Sequence, residues 1–337
     1  MNSASNSRRQ FIRNTTLAGL GLGLVGNAEK LLAGTLPTAG RRVGIIGLDT
    51  SHSVEFTKML NAAVPDPAFL GYHVVAAYAQ GSKDIASSLE MVPGNLKHVK
   101  ELGVEIVDTI PQLLKKCDVV LLESNDGRVH LEQAIPVFKA GKRVFIDKPI
   151  AASLADAKAI FNAAQQYKVP VFTSSALRFI ESIQQVRNGS IGKVTGADIY
   201  TPSPTESTHP DLFWYGIHGV EMLYAIMGTG CKKLTRITQP DMDYITAVWA
   251  DGRIGTLRGV KKGPYGFGGH AFGEKAIAPI GDFNSYVPLV KQITAFFESG
   301  IPPVPPAETL EMMAFMEAAD ESRKRNGTTV ELRIGNE

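Results

Sequence analysis

The sequence predicts an α/β fold, in which a doubly wound parallel sheet is followed by an α+β domain with an open, mostly antiparallel sheet. Short apolar segments typical of buried strands alternate with segments of helical periodicity as far as about residue 175. Beyond residue 177 the alternation stops, and the hairpin signal Asp251-Gly252 joins two strand-like segments. The length of 337 residues exceeds what one hydrophobic core usually supports, which also favours two domains.

The predicted elements of the first domain follow one another regularly. The first strand, Arg42–Gly47, ends in glycine, and residues of helix-capping type then precede a helix over 54–64. The later elements are strand Tyr72–Tyr78, strand Asp118–Leu122, helix His130–Ala140, strand Arg143–Asp147, helix Leu154–Tyr167 and strand Val169–Phe172. In such a sheet the carboxyl ends of the strands share one edge, and ligands bind there.

The second domain shows strand pairing and a long final helix. Strands Ile245–Ala250 and Arg253–Arg258 form the predicted hairpin, and helix Glu308–Arg325 precedes a last strand, Thr329–Ile334. The aromatic, glycine-rich loop Gly263–His270 is interpreted as a lid or an oligomer contact. We assign residues 41–175 to the first domain and 176–337 to the second.

The first 40 residues are interpreted as an export signal and linker. Ser7–Arg13, which includes Arg8 and Arg9, matches the twin-arginine signal, and a short glycine-rich apolar stretch follows at about 17–25. That stretch is far shorter than the ~20 residues of a stable membrane helix. We therefore expect export in folded form by the twin-arginine machinery, to the periplasm or beyond, with no stable membrane span after processing.

Charge and cysteine content exclude several classes of function. There are 35 basic and 33 acidic residues, and no basic stripe of the kind that binds nucleic acid. Cys117 and Cys231 fit no metal-binding or redox spacing. We therefore expect a small-molecule partner, and we predict no metal site.

Several motifs resemble the Gfo/Idh/MocA family of oxidoreductases. The most specific is AGKRVFIDKP at Ala140–Pro149, which is similar to the family's AGKHV…EKP segment. The supporting motifs are Ser124-Asn125 with His130, Arg178-Phe179, Ile191–Val194, Gly216–His218 and Met316–Ser322. The resemblance covers about residues 41–335. It implies a Rossmann domain, a second domain with an open sheet, homo-oligomers through that sheet, and NAD(H) or NADP(H) chemistry on sugars, cyclitols or polyols.

The predicted cofactor loop departs from the G-x-G-x-x-G pattern of dinucleotide-binding proteins. Gly47 is kept, whereas Asp49 and His52 occupy the positions of the second and third glycines. Asp49 either repels a pyrophosphate or turns away to cap the helix, and His52 either offsets phosphate charge or packs locally. Thr50 and Ser51 can still offer hydroxyls at the helix N-terminus.

The residues after the second strand leave the choice of nucleotide open. Ala79 and Gln80 stand where a carboxylate would bind the ribose hydroxyl of NAD. Lys83 either meets the 2′-phosphate of NADP or is an ordinary surface lysine, so the sequence favours NADP over NAD only slightly. By resemblance, the remaining cofactor contacts are assigned to Ser124, Asn125, His130 and Lys148.

Lys148 and His218 are the candidate catalytic residues. Lys148 follows a strand at the edge where ligands bind, and the resemblance places it beside the substrate hydroxyl and the nicotinamide. There partial burial would lower its pKa and let it move a proton; the alternative is a surface lysine. His218 matches the histidine of the family's D-x-G-x-H-x-x-D pattern. It is either a general base whose proton Glu221 stabilises or a buried histidine without chemistry.

The candidate substrate contacts are Arg178, Trp214, Tyr215 and Glu221. Trp214 replaces the first acid of that pattern, and with Tyr215 it either stacks on a sugar ring or belongs to the core. On a helix, Trp214, His218 and Glu221 would share one face. Arg178 contacts either the substrate or an acidic partner.

These features together favour an exported oxidoreductase that transfers hydride between a tightly held nicotinamide nucleotide and a sugar, cyclitol or polyol. Two alternatives stay open. One is a glycosidase of the same fold that uses bound NAD. The other is a non-catalytic relative that binds sugar or nucleotide, and the replaced glycines of the cofactor loop motivate it.

Overall fold

The computed structural model describes residues 40–281 and 283–335, which contain a parallel six-stranded sheet. The predicted export signal lies outside these residues. The sheet has the order β3-β2-β1-β4-β5-β6, and all its strand pairs are parallel. Its strands are β1 (Arg42–Ile46), β2 (His73–Tyr78), β3 (Glu105–Val107), β4 (Val119–Leu122), β5 (Val144–Ile146) and β6 (Val171–Phe172). The order is that of a doubly wound nucleotide-binding sheet, so the predicted fold class is confirmed.

Five α-helices connect these strands: α1 (Ser51–Leu60), α2 (Ala86–Glu101), α3 (Ile110–Lys116), α4 (His130–Lys139) and α5 (Leu154–Gln166). Sequence analysis missed α2, β3 and α3. Pro93 and Gly94 lie in the middle of α2, and both residue types disfavour a helix interior. The strand β3 has three residues and α3 has seven, which is too short for a clear periodicity.

The second sheet has seven strands in the order β12-β11-β7-β10-β9-β8-β13. They are β7 (Val194–Pro202), β8 (Cys231–Gln239), β9 (Met242–Trp249), β10 (Ile254–Val260), β11 (Gly268–Gly273), β12 (Ile277–Ile280) and β13 (Val330–Glu331). The pair β7–β10 is parallel and the other pairs are antiparallel, as predicted. The loop predicted over Gly263–His270 is shorter, because its last three residues begin β11.

Four α-helices belong to the second half of the chain: α6 (Glu181–Arg187), α7 (Ile217–Met227), α8 (Val287–Ser299) and α9 (Pro306–Lys324). Helix α7 packs on β7 and β10, and α9 packs on β8. Helix α8 instead returns to the first sheet, where the rings of Phe296 and Phe172 lie 4.8 Å apart. The loop before α8 therefore lies beside the carboxyl edge of the first sheet. None of the described helices is long and apolar enough to cross a membrane.

Candidate active site

A cavity of about 300 Å³ lies at the carboxyl edge of the parallel sheet, where elements of both halves of the chain meet. Its lining includes seven residues selected from the sequence: Thr50, Ser51, His52, Asn125, Lys148, Tyr215 and His218. Sequence analysis did not single out two other lining residues that matter below, Ser175 and Tyr286. Phe267, which also lines it, belongs to the aromatic loop. The lining residues come from segments that are far apart in the sequence, so no local sequence pattern predicts that they meet.

The Lys148 ammonium lies at the floor of this cavity. Its side chain is buried, and Nζ lies 3.2 Å from Oδ2 of the fully buried Asp147. Burial lowers the pKa of Lys148, but attraction to Asp147 outweighs it, so the pKa is raised from its ordinary value. The sequence-based expectation that the pKa of Lys148 is lowered is therefore wrong. The residue is a proton donor held by a carboxylate.

His218 lies on α7 with its ring buried beside Lys148. Its Nδ1 lies 2.7 Å from Oγ of Ser175, and the Ser175 oxygen also accepts the backbone N–H of Leu177. Burial, followed by the charges of Lys148 and His52, holds the pKa of His218 well below its ordinary value, so the ring is neutral. The expected pairing with Glu221 is not present; Ser175 is the partner of His218.

Arg178 and Glu221 form a buried ion pair beneath the cavity instead of lining it. Arg178 Nε lies 2.6 Å from Glu221 Oε2, and its Nη2 lies 2.7 Å from Glu308 Oε1. Glu221 also accepts the backbone N–H of Ser175 at 3.3 Å. Of the two interpretations of Arg178, the ion pair is the one observed. The pair reaches the site through Ser175, the partner of His218.

A π-helical turn over Leu212–Gly216 decides which aromatic residue faces the cavity. The N–H of Ile217 donates to the carbonyl of Leu212, five residues earlier, so this turn is wider than an α-helical one. The wider turn shifts the helix face, and Trp214 packs against His209 outside the cavity. Tyr215 takes the place expected of Trp214, with its ring 4.9 Å from that of His218.

The turn between β1 and α1 keeps the tight geometry that its first glycine requires. Gly47 has a φ of +89°, and a Cβ there would lie 2.5 Å from the backbone nitrogen of Ser124. Thr50, not Asp49, caps α1, because its side chain accepts the N–H of His52. Ser51 begins the helix and lines the cavity.

Asp49 bridges the loops that follow β2 and β4. Its completely buried carboxylate accepts the backbone N–H of Ser82 at 2.7 Å and that of Asn125 at 3.2 Å. The Asn125 side chain donates in turn to the Ser88 hydroxyl of α2 at 3.0 Å. Burial raises the pKa of Asp49, although the two backbone N–H groups oppose this shift. We call these four residues the Asp49 bridge.

His52 turns toward the end of β5 and away from the Asp49 bridge. Its Nδ1 lies 3.1 Å from Oδ1 of Asp147 and 3.8 Å from Oε2 of Glu123, and its ring stacks on Phe56 at 5.2 Å. Burial disfavours the charge on Asp147, but His52 and Lys148 still hold the pKa of Asp147 below its ordinary value. Sequence analysis did not select Glu123, because it follows an apolar strand without any local motif.

Ser124 and His130 brace the loop after β4 and do not line the cavity. His130 is buried, with Nε2 at 2.7 Å from the carbonyl oxygen of Ser124 and Nδ1 at 3.0 Å from that of Ile150. The Ser124 hydroxyl donates to Gln133. Of the three cofactor contacts assigned to this region, only Asn125 reaches the cavity.

A second cavity, of about 340 Å³, opens at the carboxyl end of β2. Tyr78, Gln80, Gly81 and Lys83 line one side of it, and residues of α3 and α4 line the other. The Asp49 bridge separates it from the cavity that holds Lys148, since Gly81 lies against Asp49 and Asn125 lines the first cavity. In a doubly wound sheet a dinucleotide spans this edge, with its phosphates at the start of α1. The two cavities lie along this edge, on either side of the bridge.

Comparison with known proteins agrees with this geometry. Residues 41–175 match the model of GFO_IDH_MocA, described as an oxidoreductase family with an NAD-binding Rossmann fold. This part of the chain is thus similar to the Gfo/Idh/MocA oxidoreductases, the family that the sequence motifs resemble. An uncharacterized oxidoreductase of Streptococcus pneumoniae serotype 4 is 25% identical over 126 residues, which are 36% of this chain and 34% of that protein. The alignment thus spans about a third of that relative.

Two solved structures share the fold over nearly their whole length. Myo-inositol 2-dehydrogenase from Lactobacillus plantarum superimposes with a TM-score of 0.72 at 17% identity, covering 87% of this chain and 99% of its own. Scyllo-inositol dehydrogenase from Lactobacillus casei, with bound NAD(H) and scyllo-inositol, gives 0.70 at 16% identity, covering 88% and 99%. The second sheet is therefore part of a fold shared with these dehydrogenases.

Proposed function

We propose that the protein is an oxidoreductase that interconverts a hydroxyl and a carbonyl group on a sugar, cyclitol or polyol, with a nicotinamide nucleotide as hydride carrier. The placement of Lys148 carries this proposal. Its ammonium faces the cavity at the carboxyl edge of the nucleotide-binding sheet, with neutral His218 close by. A hydride transfer at a hydroxyl-bearing carbon must be accompanied by movement of one proton, and these two groups can hold it.

The assigned roles follow from the charges of the two groups. Lys148, as an ammonium, donates a proton to the carbonyl oxygen in the direction of reduction, and takes the hydroxyl proton in reverse. The Ser175 hydroxyl can donate to Nδ1 of His218, and Nε2 then carries the proton of the neutral ring. That N–H is a donor for the same substrate oxygen. Asp147 keeps Lys148 in place.

Aromatic rings beside these groups support a polyhydroxylated substrate. Tyr215 and Phe267 both line the cavity and lie nearly parallel, with centroids 6.4 Å apart. Tyr286 lines the cavity beside the ring of His52. Aromatic faces pack against the C–H groups of sugar rings while their hydroxyls find polar partners.

The nicotinamide nucleotide would be held at the start of α1 and in the two cavities, and it would supply the hydride acceptor or donor. The nicotinamide half would occupy the cavity that holds Lys148, which Thr50, Ser51 and Asn125 also line. The adenosine half would occupy the second cavity, which Lys83 lines. Lys83 supports a preference for NADP, whose 2′-phosphate carries extra negative charge. Asp108 and Glu132 line the same cavity and oppose that preference.

The Asp49 bridge favours a second candidate, a relative that binds the polyol without a dinucleotide. One experiment separates the two candidates. Nucleotide released on denaturing purified protein is identified by mass, and the protein is then assayed with NAD(H) and NADP(H) against a panel of sugars, cyclitols and polyols. The oxidoreductase shows turnover with at least one pair. The second candidate shows polyol binding by calorimetry, with neither nucleotide nor turnover.

We propose that the protein is exported by the twin-arginine machinery and acts in the periplasm or outside the cell. The match at Ser7–Arg13, with Arg8 and Arg9, supports this location. Replacing both arginines by lysine should leave folded protein in the cytoplasm, as fractionation of cells would show. Unchanged export of the double variant would contradict it.

We also propose a homo-oligomer formed through the open face of the second sheet. Helices α7 and α9 pack on this sheet, yet large apolar side chains on its strands, Tyr200, Ile237 and Ile254, stay exposed. Exposed apolar area of this kind is typical of subunit interfaces. Light scattering of the wild type and of Ile237→Lys tests it, and an unchanged mass in the variant would count against this face.

A further inference from the structure

Three buried side chains from three different elements converge beside the cavity that holds Lys148. His52 comes from the first turn of α1, Glu123 directly follows β4, and Asp147 directly follows β5. One ligand-type atom from each lies within 4.8 Å of the other two. All three residues are buried, and both carboxylates are completely so. Two acids and an imidazole thus lie together at the carboxyl edge of the sheet.

Glu123 is the residue that the protein's own contacts leave unexplained. Neither of its carboxylate oxygens has a hydrogen-bond partner among the described residues, although the side chain is fully buried. The ring nitrogen Nδ1 of His52 is 3.8 Å from Glu123 Oε2, beyond hydrogen-bond distance. Lys148 Nζ bonds to Asp147 instead. A buried carboxylate without a partner is costly, so it points to a charge that is bound from outside the chain.

The spacing of the three atoms suits a metal ion. His52 Nδ1 lies 3.1 Å from Asp147 Oδ1 and 3.8 Å from Glu123 Oε2, and the two carboxylate atoms lie no more than 4.8 Å apart. A point between atoms so spaced is roughly 2–2.5 Å from each, which is the length of ordinary metal–ligand bonds. The stacking of the His52 ring on Phe56 and its edge contact with Tyr286 fix the ring's orientation.

We propose that His52, Glu123 and Asp147 bind a divalent transition-metal ion, of the class of Zn²⁺ or Mn²⁺. An imidazole nitrogen with two carboxylates selects these ions over Ca²⁺ and Mg²⁺, which prefer oxygen ligands throughout. The site replaces the third glycine of the nucleotide loop with a ligand. It shares Asp147 with the proposed proton-transfer group, since the other oxygen of that carboxylate lies 3.2 Å from Lys148 Nζ.

The test measures metal content and needs no substrate. Tag-free full-length protein is stripped with chelator, dialysed against Zn²⁺ or Mn²⁺, and analysed by elemental mass spectrometry and thermal denaturation. We expect one ion per chain and a higher melting temperature with metal. Co²⁺ in the same site should give visible absorption bands, which report on the nitrogen and oxygen ligands.

Glu123→Gln is the decisive variant, because the amide keeps the shape and removes the charge. It should lose more affinity than the roughly 10–100-fold that follows removal of an outer-shell partner of a metal ligand. Glu311→Gln is the matched control: Glu311 is also a buried glutamate, but it accepts the N–H groups of Gly230 and Cys231 away from this site. The control should keep one ion per chain.

Two results would overturn the proposal. One is wild-type protein that binds less than stoichiometric metal and shows no thermal shift with either ion. The other is Glu123→Gln that binds metal as the wild type does. If Glu123→Gln does not fold, His52→Gln gives the same comparison from another element. Since no turnover is measured, failure of the metal site and failure of the proposed activity remain distinguishable.

Discussion

The carboxyl edge of the parallel sheet forms a crevice, and the polar side chains at its two ends point in opposite directions. At the β5 end, Lys148 turns its charged group into the cavity and His218 and Tyr215 gather around it. At the β1–α1 turn, Asp49 and His52 replace glycines, yet their polar atoms bond inward, to Ser82, Asn125 and Asp147. One end presents reactive groups to a ligand, and the other uses them to tie loops together. Matching a motif position therefore does not fix the direction of a side chain.

The largest effect should come from Lys148 at the open end. Lys148→Ala should lower kcat by about 10²–10⁴-fold, because a positioned proton donor is lost, while nucleotide binding stays nearly unchanged. Steady-state kinetics with the best substrate of the panel, together with calorimetry, measures both. Lys142→Ala is the control, since Lys142 bonds to the Cys117 carbonyl outside the cavity. An undiminished rate in Lys148→Ala would leave the β5 end without a catalytic role.

The next largest effect should be a loss of stability on replacing Arg178. Sequence analysis expected this residue to contact either the substrate or an acidic partner. Arg178→Met should lower the free energy of unfolding by about 3–5 kcal/mol, because Glu221 is then buried without its cation. Arg178→Met/Glu221→Gln should recover part of that loss. Urea denaturation gives both values. A variant of normal stability with a strongly raised KM would instead make Arg178 a substrate contact.

The sequence predicted the sheet far better than the site. Parallel strands and their edge follow from apolar segments between helices, so the place of Lys148 at the end of β5 was predictable. The partner of His218 was not, because Ser175 is 43 residues away and reaches it only through the fold. Trp214 failed as a cavity residue because a π-turn breaks the 3.6-residue spacing assumed for the helix. Glu123 carried no signal at all, since its environment comes from two other elements.

A smaller effect should appear in the pH dependence of stability through His218. Its pKa is lowered in the folded state, so between that value and about 6.5 the unfolded chain binds a proton that the folded chain does not. Stability should therefore fall as the pH drops through 6.5, by at most ~1.4 kcal/mol per pH unit from this group. Denaturant unfolding at pH 7.5 and 5.5 should show a smaller decrease for His218→Gln. An equal decrease in both proteins would mean that the ring takes up its proton when folded.

The contrast between the two ends depends most on the Asp49 bridge, and calorimetry of Asp49→Gly tests it directly. In the proposed binding mode, reduced nicotinamide mononucleotide occupies one cavity, whereas NADH or NADPH occupies both and passes the bridge. The variant loses hydrogen bonds from a buried carboxylate to the Ser82 and Asn125 N–H groups, so its stability should fall by about 1–3 kcal/mol. Its affinity for the dinucleotide should nevertheless rise about tenfold, equivalent to ~1.4 kcal/mol, with affinity for the mononucleotide unchanged. Weaker dinucleotide binding by the folded variant would show that Asp49 contacts the nucleotide, and would contradict the assignment of this end of the crevice as a closed one.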